Sequence, residues 1–509
     1  MGENTFSNKR IAKNTLFLYV RMFIVLIVSL YTSRVVLNVL GVSDYGVNNV
    51  VAGFVTLFSF LNGTLSAAIS RYYNYEGGRD GDDGFTRVYS VSIRVQAVLA
   101  SAVFILLETF GLWYVNNVLV VPTDRIVAAN YLFQFSTVSM VLVIMRIPFT
   151  SVIVSKERMG FFAIVSIVDT FLHLIIVIAL PHISSDKLIT YAFLQLCLKV
   201  LIFVLDVVYA KIQFNYLKIT RFYDKMLLRS MLSFSGWNLF GTFIFMLKGQ
   251  GVNMLLNAFF GTIINAARGV AFQVNTAIMG FSSNIATSYR PQMVASYASG
   301  DTKRSFNLFK SQSKICYCMI LMLITPVILE IDNILHIWLG NVVPDNTNIF
   351  TALVLIDAMI CTLSAPVTQL VYATGKVKKF QICTSAVNFF LIPICWIFLK
   401  LGYEAWIVFL ITIFVSVVVQ VVALIVLHSV FDYKYGEYIN DVIVPCVSLT
   451  LLVPIIPLII TRIFQPSLIR IIITGSVSLF VMVFLFYYLF SSEGEKEFAR
   501  GYIKRFVKK

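Results

Sequence analysis

The sequence predicts an all-α integral membrane protein of about fourteen transmembrane helices, in two six-helix bundles followed by two C-terminal helices. Three observations predict it. Of 509 residues, 59% are hydrophobic and 13% charged, with a mean hydropathy of +0.85, whereas soluble domains carry about 25% charged residues. Apolar stretches of about twenty residues, the length that crosses a hydrocarbon core, recur from end to end with short polar breaks. Two of these stretches, about 220 residues apart, read alike.

The first fourteen residues, 1–14, are polar and basic. The apolar run that follows is too long for a signal peptide and lacks a small-residue cleavage site, so it reads as the first span. Spans near 15–40, 46–70, 89–113, 127–153, 160–181 and 189–210 make a first lobe, 15–210. A basic segment, 211–228, separates it from a second lobe, 229–427, with spans near 229–258, 263–289, 312–331, 349–372, 379–399 and 403–427. Two further spans near 441–461 and 468–490 occupy 428–491, and a basic tail, 492–509, ends the chain.

With the N-terminus in the cytoplasm, the inner segments collect 28 Lys and Arg, and the outer ones hold only Arg125, Lys187, Lys400 and Arg462. This bias follows the positive-inside rule and places both termini in the cytoplasm. The formal charge of +15 is thus an orientation signal. A nucleic-acid surface is not expected, because the aromatics lie in the spans and not along a basic groove. Seven cysteines in or beside apolar spans, with no CxxC pair, read as buried small hydrophobes. Four scattered histidines leave no metal or acid–base centre to build. No catalytic residue, metal or cofactor is expected, and no outer segment exceeds about twenty residues, too short for a catalytic domain.

The first repeat copy runs from Leu40-Gly41 through Gly46 to Ser70-Arg71, with a Gly/Asp loop beyond. The second runs from Phe260-Gly261 through Arg268-Gly269 to Tyr289-Arg290, with Ser299-Gly300-Asp301 beyond. Six spans separate the copies, so both have the same orientation, the arrangement of parallel repeats around a central cavity.

Ionisable groups at membrane depth cost several kcal/mol unless they face a wet cavity or a partner. Eight basic residues fall inside the predicted spans (Arg21, Arg34, Arg94, Arg146, Lys199, Lys248, Arg268 and Arg470) against Glu108, Asp169, Asp206 and Asp357. This surplus points to an anionic substrate. Arg34 and Arg268, each seven residues from a turn glycine, are expected roughly 10 Å below the outer surface, and Lys248 roughly 20 Å down. Arg34, Lys248, Arg268, Arg21 and Arg146 are therefore candidates to line a cationic cavity. Arg94 and Lys199 are expected to snorkel, and Arg470 to anchor at the outer boundary. The polar segment Lys248-Gly-Gln250-Gly-Val-Asn253 has two readings: irregular backbone lining the cavity, with Gln250 and Asn253 as ligands, or helix packing through small residues. Asp169, Asp206 and Asp357 are candidate proton or sodium sites, or each neutralises a basic neighbour.

The run Asn14-Thr-Leu-Phe-Leu-Tyr-Val-Arg21, then Ser33-Arg34-Val-Val-Leu-Asn-Val-Leu40-Gly41-Val-Ser-Asp44-Tyr45-Gly46, resembles the first helical hairpin of polysaccharide exporters. These are the Wzx-type O-antigen flippases of the multidrug/oligosaccharidyl-lipid/polysaccharide (MOP) superfamily. The resemblance extends over nearly the whole chain in span number, repeat and interlobe loop. It implies a V-shaped, MATE-like pair of bundles and translocation of an undecaprenyl-diphosphate-linked oligosaccharide across a bacterial inner membrane. It implies a monomer acting with membrane lipids and with a polymerase of the same pathway. The family's cavity arginines carry over only to Arg34, in the run from Arg34 to Gly46. A cation-coupled multidrug exporter is the alternative within the superfamily, but the basic surplus opposes cationic substrates. A membrane glycosyltransferase or polysaccharide polymerase is the alternative from another class, and a peptidoglycan-precursor flippase is chemically close to the leading reading.

Overall fold

The computed structural model describes residues 2–156, 158–220, 225–340 and 342–490, with side chains from residue 23 onward except at 225–238 and a few single positions. The side chain of Arg21 and the tail at 492–509 therefore lie outside the described residues. Among the described residues all regular structure is helical.

Helix α1 (Gly2–Thr56) carries the first predicted span and the first part of the second, and is broken between them at Gly41 by φ +77° and ψ 169°. Helix α2 (Phe60–Leu106) is broken in the same way at Gly81, φ +59°. Such dihedrals put Cβ against the backbone in any L-residue, and so fall to glycine. A π-helical turn, Leu107–Gly111, joins α2 to α3 (Leu112–Asn117). Next come α4 (Ile126–Ser155), α5 (Met159–Ala179), α6 (Lys187–Gln213) and α7 (Lys225–Phe260). Gly261, φ +74°, separates α7 from α8 (Thr262–Ala298). The two glycines that the repeat aligns, Gly41 and Gly261, thus share a left-handed backbone.

Helices α9 (Thr302–Leu329), α10 (Ile331–Leu339), α11 (Thr347–Thr362), α12 (Ser364–Thr374), α13 (Val377–Phe389), α14 (Leu391–Lys400) and α15 (Ile407–His428) follow. The C-terminal pair is built from α16 (Tyr435–Tyr438), α17 (Val444–Leu452) and α18 (Ile455–Ile463), then α19 (Leu468–Leu485). Twelve segments among the described residues are long and apolar enough to cross a membrane. One of them, Phe23–Gly63, contains the Gly41 break, and the amide-rich α8 is not among the twelve. Length and hydropathy alone therefore give twelve where the sequence predicts about fourteen.

Packing groups the helices into two compact units. The first runs to Val270 and takes in Asn388–Ala405; the second holds Ala271–Val387 and continues from Trp406. These units differ from the lobes drawn in chain order at 15–210 and 229–427, because α7, the start of α8 and α14 pack with α1–α6. The first unit centres on Phe54 of α1, which stacks on Tyr114 at 4.9 Å and meets Phe133 of α4 at 6.3 Å. Gly111 admits both rings of that contact: a Cβ there would lie 2.7 Å from Phe133 and 3.0 Å from Phe54.

The second unit is organised around α9. Near its predicted inner end, Lys310 pairs with Asp441 at 2.8 Å. Beside Lys310, Phe309 stacks on Tyr438 at 4.8 Å, and in mid-helix Tyr317 bonds Thr450 at 2.8 Å. Just beyond its other end Glu330, 1% exposed, receives Nε and Nη2 of Arg470 at 2.8 and 2.7 Å, and the Thr474 hydroxyl at 3.1 Å. Arg470 also donates Nη1 to the carbonyls of Thr461 and Phe464. Expected as a boundary anchor, it is buried, because Glu330 and two carbonyls saturate its guanidinium.

Candidate functional site

The candidate site is built on one face of α7. Gln250, Asn253 and Asn257 recur at helical spacing and so share a face. Asn253 donates Nδ2 to the Asn49 carbonyl of α1 at 3.1 Å, and receives Asn265 of α8 on both its carbonyl and its Oδ1 at 2.8 Å. Asn257 clips the backbone of Val120, accepting its N–H at 2.8 Å and donating to its carbonyl at 3.0 Å. Arg268 of α8, 6% exposed, donates Nη2 to the Gly249 carbonyl at 2.7 Å.

Glycines bring these helices close enough to bond. A Cβ on Gly46 would stand 1.9 Å from the Thr262 carbonyl, one on Gly53 2.7 Å from Gln250 Oε1, and one on Gly269 2.6 Å from Asn49 Nδ2. A Cβ on Gly251 would meet Ile392 of α14 at 2.4 Å. The segment 248–253 is helical throughout, and neither Gly249 nor Gly251 takes a positive φ. Of its two readings the structure therefore has packing through small residues, and the unwound backbone is not found.

The structure places Gln250 and Asn253 on one face of α7 and Lys248, two residues before Gln250, on another, with Arg268 of α8 bonded to the turn between them, and divides the four by exposure. Asn253 and Arg268 are buried and committed to the bonds above, whereas Lys248 and Gln250 are partly exposed. Lys248 is within electrostatic reach of Cys395 on α14. Arg34 stands partly exposed on the first half of α1, seven residues before the Gly41 break.

Other candidates are paired within their own bundle. Arg146 of α4 donates Nε to the buried Asp206 of α6. Lys199 of α6 pairs with Asp169 of α5 at 3.1 Å. Arg94, also expected to snorkel, donates to the Thr220 carbonyl. Asp357 of α11 differs from the other two aspartates. The Cys361 thiol is 3.7 Å from its Oδ2, while its Oδ1 is buried with no hydrogen-bond partner among the described residues. Ser416 of α15 lies across from Cys361 at 3.9 Å.

Sequence reasoning missed a cluster at the predicted outer end. Arg125, just before α4, reaches Asp44 through Nε at 2.8 Å and Asp186 through Nη1 at 2.6 Å. Asp186 also caps α6, accepting the Leu188 and Ile189 N–H groups at 3.0 and 3.1 Å. The capping half was legible, as an aspartate directly before an apolar helical run. Chiefly the Arg125 hydrogen bond, then the cap, holds the Asp186 carboxyl below the usual carboxylate range.

Among solved structures, the chain is similar over 92% of its length to the lipid II flippase MurJ in an inward closed conformation, covering 97% of that chain with a TM-score of 0.70 at 12% identity. It is similar to an inward-facing multidrug resistance MATE family transporter of the MOP superfamily, over 82% of this chain and 95% of that one, with a TM-score of 0.59 at 11% identity. It is also similar to the MATE multidrug transporter DinF-BH, over 84% and 97%, with a TM-score of 0.60 at 13% identity. No protein-family model matches the chain, and no characterised protein matches it in sequence. At these identities the likeness establishes the fold, which is the all-helical, multi-pass fold of MOP-superfamily transporters.

Proposed function

We propose that the protein is a transporter, not an enzyme, that flips an undecaprenyl-diphosphate-linked oligosaccharide across the bacterial inner membrane by alternating access. The oligosaccharide is an O-antigen or other polysaccharide repeat unit, the substrate class of Wzx-type flippases. The observation that carries this reading is the cationic surplus in the spans, the eight bases named above against five acids once Glu330, the buried partner of Arg470, is counted, within a fold that a lipid II flippase shares. Lys248 and Arg34, each partly exposed at membrane depth, are the cations this reading assigns to the substrate.

In this reading Lys248, a mobile point charge, and Arg34, a planar fork suited to bidentate contact, take the diphosphate. Gln250, on the adjoining face of α7, hydrogen-bonds sugar hydroxyls. Arg268 and Asn253 act as positioning residues: Arg268 grips the Gly249 carbonyl and so fixes the turn that presents Lys248. Asp357 is the coupling site for a proton or sodium ion, since Asp169 and Asp206 are held by bases. The chain acts as a monomer with both termini in the cytoplasm, beside a polymerase of the same pathway. A multidrug exporter reading is opposed by the same surplus, which repels cationic drugs.

The test is complementation of a strain lacking its own O-unit flippase, with a lipid II flippase-depleted strain in parallel and abundance checked by blot. Wild-type chain is expected to restore surface polysaccharide, and Lys248→Ala and Arg34→Ala to lose it at normal abundance. Rescue of the depleted strain alone would replace the O-unit with a peptidoglycan precursor. Restoration that survives both substitutions would remove them from the site.

A further inference from the structure

The segment that follows α6 is held against α2 in a way the transport reading does not use. Phe214 is buried, and Tyr216 and Leu217 pack on the core of the first unit. The backbone beyond them is bonded to α2 at three points: Thr86 donates to the Tyr216 carbonyl at 3.3 Å, Ser90 to the Lys218 carbonyl at 2.9 Å, and Arg94 to the Thr220 carbonyl. Ser90 also accepts the Thr220 N–H at 2.8 Å.

These contacts fix the depth of the segment. From Thr86 to Arg94, α2 rises about 12 Å at 1.5 Å per residue, and its predicted span begins near residue 89. Residues 216–220 therefore run beside the first turns of a membrane span, at headgroup level. Non-helical backbone survives there because its carbonyls are satisfied by protein. With the backbone turned to α2, the remaining side chains face outward. Lys211 and Lys218 are exposed, and so are Ile212 at 69% and Ile219 at 60%.

Two lysines alternating with two bare isoleucines at the membrane interface match one kind of partner. We propose that residues 211–220 form a docking strip for anionic phospholipids of the inner leaflet. Lys211 and Lys218 meet the headgroup phosphates, and Ile212 and Ile219 enter the upper acyl region. The leaflet follows from the positive-inside orientation of the loops. Asp82 stands exposed at the same end but lies 3.9 Å from Lys156, which offsets its charge.

The test uses the full-length chain in nanodiscs of mixed phosphatidylcholine and phosphatidylglycerol, counting retained lipids by native mass spectrometry. Wild type is expected to retain phosphatidylglycerol preferentially, and inorganic phosphate not to displace it. The preference should fall roughly 5-fold for each lysine replaced by glutamine, the change expected for one charge at an anionic surface. The Lys211→Arg/Lys218→Arg double variant should keep it, which separates charge from folding. An unchanged preference in Lys211→Gln/Lys218→Gln, or loss of it in the arginine double variant, would overturn the proposal. So would displacement by inorganic phosphate, which would make the strip a free-anion site. No step of the readout involves a transported substrate, so its outcome is independent of the flippase reading.

Discussion

Helix α7 in the first unit and the C-terminal pair in the second are both fastened to the rest of their units, but by different chemistry. Neutral amides hold α7: Asn253 on Asn49, Asn265 on Asn253, and Asn257 on the Val120 peptide. Ion pairs hold the C-terminal helices to α9 and its end, Lys310 on Asp441 and Arg470 on Glu330. An amide stitch costs little desolvation and fixes register, whereas a buried ion pair is harmless only while both partners remain. Charge is thus a structural fastener in the second unit. In the first, neutral amides stitch α7, and Lys248 is partly exposed.

The contrast is broken most forcefully at Glu330. Glu330→Ala leaves the Arg470 guanidinium buried without its carboxylate and should cost about 3–5 kcal/mol, read as a large drop in Tm in detergent. A Glu330→Leu/Arg470→Met double variant should recover most of that loss. If it is no better than the single change, the pair is not the fastener described. Asn265→Leu should cost less, about 1–3 kcal/mol, because Asn253 loses a donor but no charge is stranded. A drop as large as that of Glu330→Ala would erase the distinction between α7 and the C-terminal pair.

Lys248→Gln sharpens the comparison from the other side. Its Tm should stay within about 0.5 kcal/mol equivalent of wild type, while complementation is lost. A Tm loss matching that of Asn265→Leu would return Lys248 to the stitch. The smallest effect is expected at Asp186. Its folded carboxyl is held below the ordinary value, so its contribution is present at all pH above that of the unfolded group and is lost as pH falls through the lowered value. The Tm gap between wild type and Asp186→Asn should therefore be constant between about pH 5 and pH 7 and close only in stronger acid. A gap that narrows near neutrality would assign the titration to another group.

Span order, the glycine breaks at Gly41 and Gly261, and the Asp186 cap were legible because each depends on neighbours in sequence. The partners of the membrane charges were not. Arg146 and Asp206 lie 60 residues apart, and Glu330 and Arg470 140 apart. Which bases meet which acids depends on the azimuth and adjacency of helices that hydropathy cannot order. Depth from the turn glycines set Arg34, Lys248 and Arg268 apart from the span ends. It did not distinguish a cation turned into a carbonyl, as Arg268 is, from one left partly exposed, as Lys248 is. The same limit applied to Arg94, where proximity to a span end masked a bond to a loop carbonyl 126 residues away.

The division of the chain into units also bears on the order in which the protein is made. Because the first unit includes α14, it is complete in the polypeptide only at Ala405. By then α9 and α11–α13 of the second unit have already left the ribosome. The two units are therefore not assembled one after the other, as independently folding domains are. A gene split between residues 220 and 225 does not separate them either: the downstream fragment carries α7, the start of α8 and α14, and must deliver all three to helices made from the other message.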